Sequence, residues 1–221
     1  MAVPHFTEVL TLSNTQIAIE AAATVAFALS GLIAAARKRL DAVGVCVVAW
    51  LAAFGGGTLR DILLDRRPFF WVQHAAWLWV LLALCIAAMM FMRTRHFEPT
   101  ERAMQWPDAL GLGLFTAGGT QIALDASMPA IVAVLMGMVT AVFGGVMRDI
   151  VCNEIPRAFR DHQPYAVCSF AGGWVMVGAQ AFDVPQWGSL VAAAVTASLL
   201  RLLAVHRDWR LPQWQSGESD R

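Results

Sequence analysis

Apolar residues fall into seven long runs separated by short polar breaks, over approximately 14–36, 42–64, 70–92, 107–125, 128–152, 163–182 and 186–205. Each run is close to the roughly 20 residues that a membrane-spanning helix needs. Ala, Leu and Val dominate, and strict apolar–polar alternation is absent, which speaks for helices and against a β-barrel. The breaks are short: Arg37-Lys38-Arg39-Leu40-Asp41, then Asp65-Arg66-Arg67-Pro68, then the stretch from Arg93 to Trp106. No break can hold a soluble domain, and only the tail over 210–221 reads as disordered. The pattern predicts an all-α membrane protein with seven transmembrane helices.

The sequence also repeats itself at an offset of 88 residues. Gly55-Gly56-Gly57-Thr58-Leu59-Arg60-Asp61-Ile62, near the end of the second run, returns as Phe143-Gly144-Gly145-Val146-Met147-Arg148-Asp149-Ile150 near the end of the fifth. In the same register Glu20 falls on Asp108, Phe27 on Phe115, Gly31 on Gly119, Pro68 on Pro156, His74 on His162 and Trp77 on Tyr165, without a gap. Each copy holds three runs. Three is odd, so the second copy enters the membrane upside-down, and functional sites in such folds lie near the repeat interface. The expected architecture is two inverted three-helix repeats, over 14–92 and 102–182, with an extra seventh helix over 186–205.

Composition sharpens this picture. Apolar residues make up 58% of the chain and charged ones 14%, against about 25% charged in soluble domains. Formal net charge is zero, so nothing in the charge points to a nucleic-acid partner. With the N-terminus outside, the outer side holds only Arg60, Arg66 and Arg67 of the 16 Lys and Arg residues. That bias predicts an N-out/C-in, multi-pass protein of a cell inner membrane. The N-terminus lacks a basic stretch followed by a small-residue cleavage site, so the first run reads as a retained helix. Cys46, Cys85, Cys152 and Cys168 form no C-x-x-C pair and read as small buried hydrophobes. His74 and His162 read as interfacial.

The chemistry concentrates in the repeated stretch. Charged residues inside a spanning segment are a functional-site hypothesis by default. Glycines at Gly55, Gly56, Gly57, Gly144 and Gly145 can break or kink a helix, freeing backbone carbonyls that coordinate cations along a wet path. Arg60 and Arg148 would then act as gate or barrier residues, with Asp61 and Asp149 as their partners or as cation attractors. Glu20 and Asp108 are either pathway carboxylates or partners for the arginines of the opposite repeat. The other reading of the glycines is close helix packing, which small residues commonly serve in membranes. No nucleophile–base constellation, phosphate-binding loop or metal-ligand spacing appears, so neither an enzyme nor a cofactor is expected.

Two copies of G-G-x-x-R-D in a seven-helix chain resemble the prokaryotic trimeric intracellular cation (TRIC) channels, whose repeat has also been labelled a putative glycine transporter domain. The resemblance covers 14–205. It implies a homotrimer among membrane lipids, with one ion path per protomer for monovalent cations, chiefly potassium, with potassium or sodium as permeant species. It also implies that the second and fifth helices kink at Gly55, Gly56, Gly57, Gly144 and Gly145 to line the pore, near Arg60, Asp61, Arg148 and Asp149. Phe143 stands where the first copy has a glycine, so the two kinks need not be equivalent. Two arginines beside a cation path require carboxylates to neutralise them, and rearrangement of those pairs would gate. The alternative is a secondary carrier of a small zwitterion such as glycine.

Overall fold

The structure, a computed structural model, describes residues 14–92, 100–160 and 163–212. His162 and most of the expected disordered tail lie outside the described residues. Among the described residues there are nine helices and no strand: α1 Asn14–Arg37, α2 Ala42–Leu63, α3 Phe70–Gln73, α4 Ala76–Met92, α5 Glu101–Asp125, α6 Ala130–Val151, α7 Arg157–Arg160, α8 Ala166–Ala181 and α9 Gln186–His206. Four of these, α1, α2, α6 and α9, are long and apolar enough to cross a membrane. The cysteines are free; Cys85, Cys152 and Cys168 are buried and Cys46 is half-buried.

Three predicted boundaries shift, each for a local reason. The run over 70–92 divides into α3 and α4, because the helix stops at His74 and the Trp77 amide turns back to the His74 carbonyl at 2.9 Å. The run over 163–182 yields only α8, preceded by the separate turn α7. α5 begins before the apolar run expected from 107, since the Thr100 hydroxyl accepts the Ala103 amide at 3.1 Å and starts the helix in polar sequence. Pro107 is thereby placed inside α5, at the loss of one backbone hydrogen bond. α5 is the central element, in contact with α1, α6, α8 and α9.

The repeat is visible in the helix ends. α1 and α5 both close with a left-handed residue, Arg39 (φ 53°) and Ser127 (φ 59°). After each, an amide reaches back five residues: Leu40 to the Ala35 carbonyl at 3.1 Å and Met128 to the Ala123 carbonyl at 3.0 Å. α2 and α6 end the same way at Asp65 and Asn153, with Arg66 bonding to Asp61 at 2.8 Å and Glu154 to Asp149 at 2.9 Å. Every one of these pairs differs by 88 residues.

Equivalent helices run antiparallel. A Cβ placed on Gly56 of α2 would overlap the Thr140 carbonyl of α6, and one on Gly144 of α6 would overlap the Ala52 carbonyl of α2. Advancing along α2 from Ala52 to Gly56 therefore means retreating along α6 from Gly144 to Thr140. α1 and α5 behave alike: Glu20 lies by Gly118, Phe27 by Gly111 and Ser30 by Asp108. Within each half the first two long helices also meet at a glycine, Gly31 against Ala49 (2.9 Å from an added Cβ) and Gly119 against Gly137 (3.0 Å).

These contacts correct the expectation of broken helices. α2 is helical through Gly55, Gly56 and Gly57, and α6 through Gly144 and Gly145, so neither stretch is interrupted. Gly56 and Gly144 instead let the two backbones touch, the close packing that small residues permit in membranes. Lys38 beyond α1 joins Glu154 beyond α6 at 2.8 Å. Partial burial pushes the Glu154 carboxyl up, but the Lys38 hydrogen bond and charge outweigh it and hold the carboxyl below its usual range.

The glycines are thus not equivalent, and alanine separates them. Gly56→Ala should lower thermal stability in detergent by about 1–3 kcal/mol through overpacking. Gly55, whose Cβ would meet nothing nearer than 3.7 Å, should accept alanine with a gain of up to about 1 kcal/mol. Equal losses at both positions would contradict the packing account.

Two buried arginine clusters as the candidate functional site

Two arginines are sealed inside a helical bundle: Arg60 is 0% exposed and Arg148 1%. A guanidinium with no carboxylate at such depth would be prohibitively desolvated. Each is answered in the same way. Arg60 Nη1 donates to Glu20 Oε1 at 2.5 Å and its Nε to Asp61 Oδ1 at 3.0 Å. Arg148 Nη1 donates to Asp108 Oδ1 at 2.5 Å and its Nε to Asp149 Oδ1 at 2.8 Å. The partner on the neighbouring helix is 40 residues away in both cases, so each bundle half closes its own charge pair. Glu20 and Asp108 therefore serve the arginine of their own repeat, not of the opposite one.

The aspartates do a second job. The outer oxygen of Asp61 accepts the Phe70 amide at 3.1 Å and that of Asp149 accepts the Arg157 amide at 3.0 Å. Each carboxylate thus pins the short helix that follows, α3 or α7, back onto the cluster. The glycines complete the geometry. An added Cβ at Gly57 would meet only Arg60 Nη2, at 3.8 Å, and one at Gly145 would meet Tyr165 Oη at 3.2 Å and Arg148 Nη2 at 3.5 Å. Gly57 and Gly145 thus lie against the guanidinium one turn later on the same helix, and only Gly145 is tightly hemmed in, by the Tyr165 hydroxyl.

The two clusters do not face each other. α2 and α6 cross between Ala52 and Gly56, so at 1.5 Å rise per residue Arg60 and Arg148 stand about 18 Å apart along the bundle. Between them Phe27 of α1 and Phe115 of α5, a repeat-related pair, stack with ring centroids 5.5 Å apart. On the side of the first cluster lies a cavity of about 10 Å³ lined by Glu20, Gly57, Thr58 and Phe115 among others, the lower limit for one water molecule.

The second cluster is the more elaborate. Ser30 of α1 reaches across the repeat boundary and accepts from Arg148 Nη1. Gly118, its counterpart, offers only space beside Glu20. Arg157 and Tyr165 also line this end, both 4% exposed. At the far end of α5, Asp125 accepts the amides of Gln16 at 2.5 Å and Gln121 at 2.6 Å, and Gln121 accepts that of Gln180 at 2.6 Å.

Comparison with known proteins agrees with this twofold layout. The family model described as Glycine transporter matches twice, over residues 17–94 and 105–181. A UPF0126 membrane protein of Vibrio cholerae is 34% identical over 193 residues, 86% of this chain and 78% of that one. The UPF0126 inner membrane protein YadS of Escherichia coli K12 is 34% identical over 203 residues, 90% and 95% of the two chains. Among solved structures, the TRIC trimeric intracellular cation channel orthologue from Rhodobacter sphaeroides superposes with a TM-score of 0.82 at 29% identity, over 89% of this chain and all of that one. A second TRIC cation channel gives 0.79 at 31% identity, over 92% and 98%. The chain belongs to the TRIC channel family.

Membership makes it a multi-pass inner-membrane protein whose relatives of known structure are channels rather than enzymes. The residues singled out from the sequence fall into two groups, one per repeat: Glu20, Gly57, Arg60 and Asp61, then Asp108, Gly145, Arg148 and Asp149. Gly55, Gly56 and Gly144 lie apart from the charges, at the α2–α6 contact. Phe27, Phe115, Arg157 and Tyr165 had no role assigned from sequence, and Ser30 reads from sequence only as a small residue suited to a bend or tight helix packing. The repeat register holds the clue to the first two, since Phe27 aligns with Phe115. Ser30 and Arg157 have no like counterpart in it, and no motif marks them.

Removing one member of a cluster strands the others. Arg60→Ala should destabilise the folded protein by about 3–5 kcal/mol by leaving Glu20 without its cation and Asp61 with only Arg66, 3.5 Å away. Adding Glu20→Gln to Arg60→Gln should recover part of the loss in a double-mutant cycle read by thermal unfolding. Strict additivity would show that the pair is not coupled.

Proposed function

We propose that this protein is a homotrimeric, potassium-permeable monovalent cation channel with one path through each protomer. One observation carries the reading: two arginine–carboxylate clusters, antiparallel copies of each other, lie at opposite levels of one bundle with an aromatic pair between them. In this account α1, α2, α4, α5, α6, α8 and α9 are the seven spans, N-out and C-in. The repeats over 14–92 and 102–182 are inverted, and the helix over 186–205 stands outside the repeat. The Arg60 cluster then borders the outer approach and the Arg148 cluster the inner one.

This resolves the repulsion expected of arginines beside a cation path. Arg60 and Arg148 are each covered by two carboxylates, so a passing potassium or sodium ion does not meet a bare guanidinium. The path is closed between the clusters, where the stacked Phe27 and Phe115 rings leave an apolar constriction. Opening separates the rings, while α2 and α6, joined at Gly56 and Gly144, act as the framework beside the path. No cofactor or nucleic acid takes part, and membrane lipids surround the trimer.

The description of the family model favours one rival, a carrier of glycine. Antiparallel halves would also suit alternating access.

Single-channel recording of the purified protein in planar bilayers under a potassium gradient separates the two. Discrete openings are expected, with open probability raised several-fold by Phe115→Ala. Saturable glycine counterflow without openings would overturn the channel reading.

A further inference from the structure

The second cluster carries one cation more than the first. Glu20 and Asp61 face Arg60 and Arg66, whereas Asp108 and Asp149 are surrounded by Arg148, Arg157 and Arg201. Arg201, 2% exposed, makes only long contacts to Gln163 Oε1 and the Pro164 carbonyl, both 3.4 Å, and lies over the Tyr165 ring at 4.8 Å. Arg157 is odder. Its Nε, Nη1 and Nη2 are all buried and none has a hydrogen-bond acceptor among the described residues; Nε stops 3.8 Å from Asp149 Oδ2. The Tyr165 hydroxyl, also buried, has no partner among the described residues either. Ala158, next to Arg157, packs into the apolar group that holds Tyr165, and a Cβ on Gly145 would lie 3.2 Å from the Tyr165 hydroxyl and 3.5 Å from Arg148 Nη2, so the hydroxyl borders the same cluster.

Buried polar groups without partners are rare, and a buried guanidinium without acceptors is especially costly. The orphan groups here have one chemistry in common: each can donate, beside a surplus positive charge, since Glu154, the other carboxylate near Arg157, is already paired with Lys38 at 2.8 Å. What satisfies them is an acceptor that carries negative charge. Water would meet the hydrogen bonds but leave the charge. The depth of Arg148, Arg157 and Tyr165, none more than 4% exposed, leaves no route for a phosphate that is part of a lipid. We propose that Arg157 and Tyr165 hold a small inorganic anion of halide size against the Arg148 cluster. Asp149 keeps Arg148 and the Arg157 amide as its partners, so the anion takes the guanidinium face that Asp149 does not. The first half lacks the site: Phe69 and Trp77 stand at the positions that align with Arg157 and Tyr165, and Arg201 lies outside the repeat. The inference stands on these residues alone and does not require the channel reading.

The test is thermal unfolding of the full-length protein in detergent, with bromide replacing gluconate at constant ionic strength. A ligand held only by the folded state raises the midpoint saturably, and that is expected here. Arg157→Gln should abolish the bromide response, and Tyr165→Phe, which removes only the hydroxyl, should weaken apparent affinity about tenfold. Arg207→Gln, at an exposed position, should respond like the parent. Bromide anomalous scattering should peak between Arg157 and Tyr165; this measurement uses the unaltered protein and holds even where Arg157→Gln does not fold. A flat response in the parent, an equal response in every variant, or stabilisation by phosphate and not by bromide would overturn the proposal.

Discussion

The fold depends on neutralising a guanidinium twice where water is scarce. Arg60 and Arg148 each lie at a depth that a lone cation cannot occupy, and the positions of α1, α2, α5 and α6 follow from that demand. Glu20 must be on the α1 face that meets α2, and Asp108 on the α5 face that meets α6. The adjacent aspartates tie down α3 and α7 through one backbone amide each. Gly57 and Gly145 flank each guanidinium. Such pairs add less net stability than their geometry suggests, because desolvation offsets much of their attraction. What they give is register, since any slip of α2 against α1 would strand a buried charge.

A second constraint joins the halves. Gly56 on Thr140 and Gly144 on Ala52 make the α2–α6 contact backbone to backbone, and Phe27 stacks on Phe115 across the same axis. Both contacts are self-complementary, as a twofold relation between copies requires. The symmetry is then broken on one side. α9 packs on α5 and α8, Ser30 enters the second cluster from α1, and Arg157 and Arg201 add charge there. The two ends of the bundle are chemically distinct although they share one design.

Much of this was legible in the sequence because the repeat is gapless. An offset of 88 residues brought Glu20 onto Asp108 and Arg60 onto Arg148, so a second copy confirmed every candidate charge. The positions of α1, α2 and α6 followed from apolar run length. What could not be read was which groups touch. The repeat sets both arginines beside one expected path, and the antiparallel crossing near Gly56 puts them at different levels of the bundle. The glycine stretches admit both a broken helix and a close approach, because composition does not distinguish the two. That distinction depends on whether a neighbouring backbone fills the space, as the Thr140 carbonyl does. The split at His74 was invisible for a similar reason: the run over 70–92 is apolar throughout, and the Asp61 bond that fixes α3 is a tertiary contact.

The central claim is that the two clusters border opposite mouths of one path. Side-specific thiol labelling tests it most directly, using a background without the four native cysteines. Thr58 beside the first cluster and its repeat equivalent Val146 beside the second are each changed to cysteine, in protein that still conducts. A membrane-impermeant thiol reagent should react with Thr58→Cys only from outside and with Val146→Cys only from inside. Reaction of both from the same side would contradict the inverted, two-mouthed arrangement.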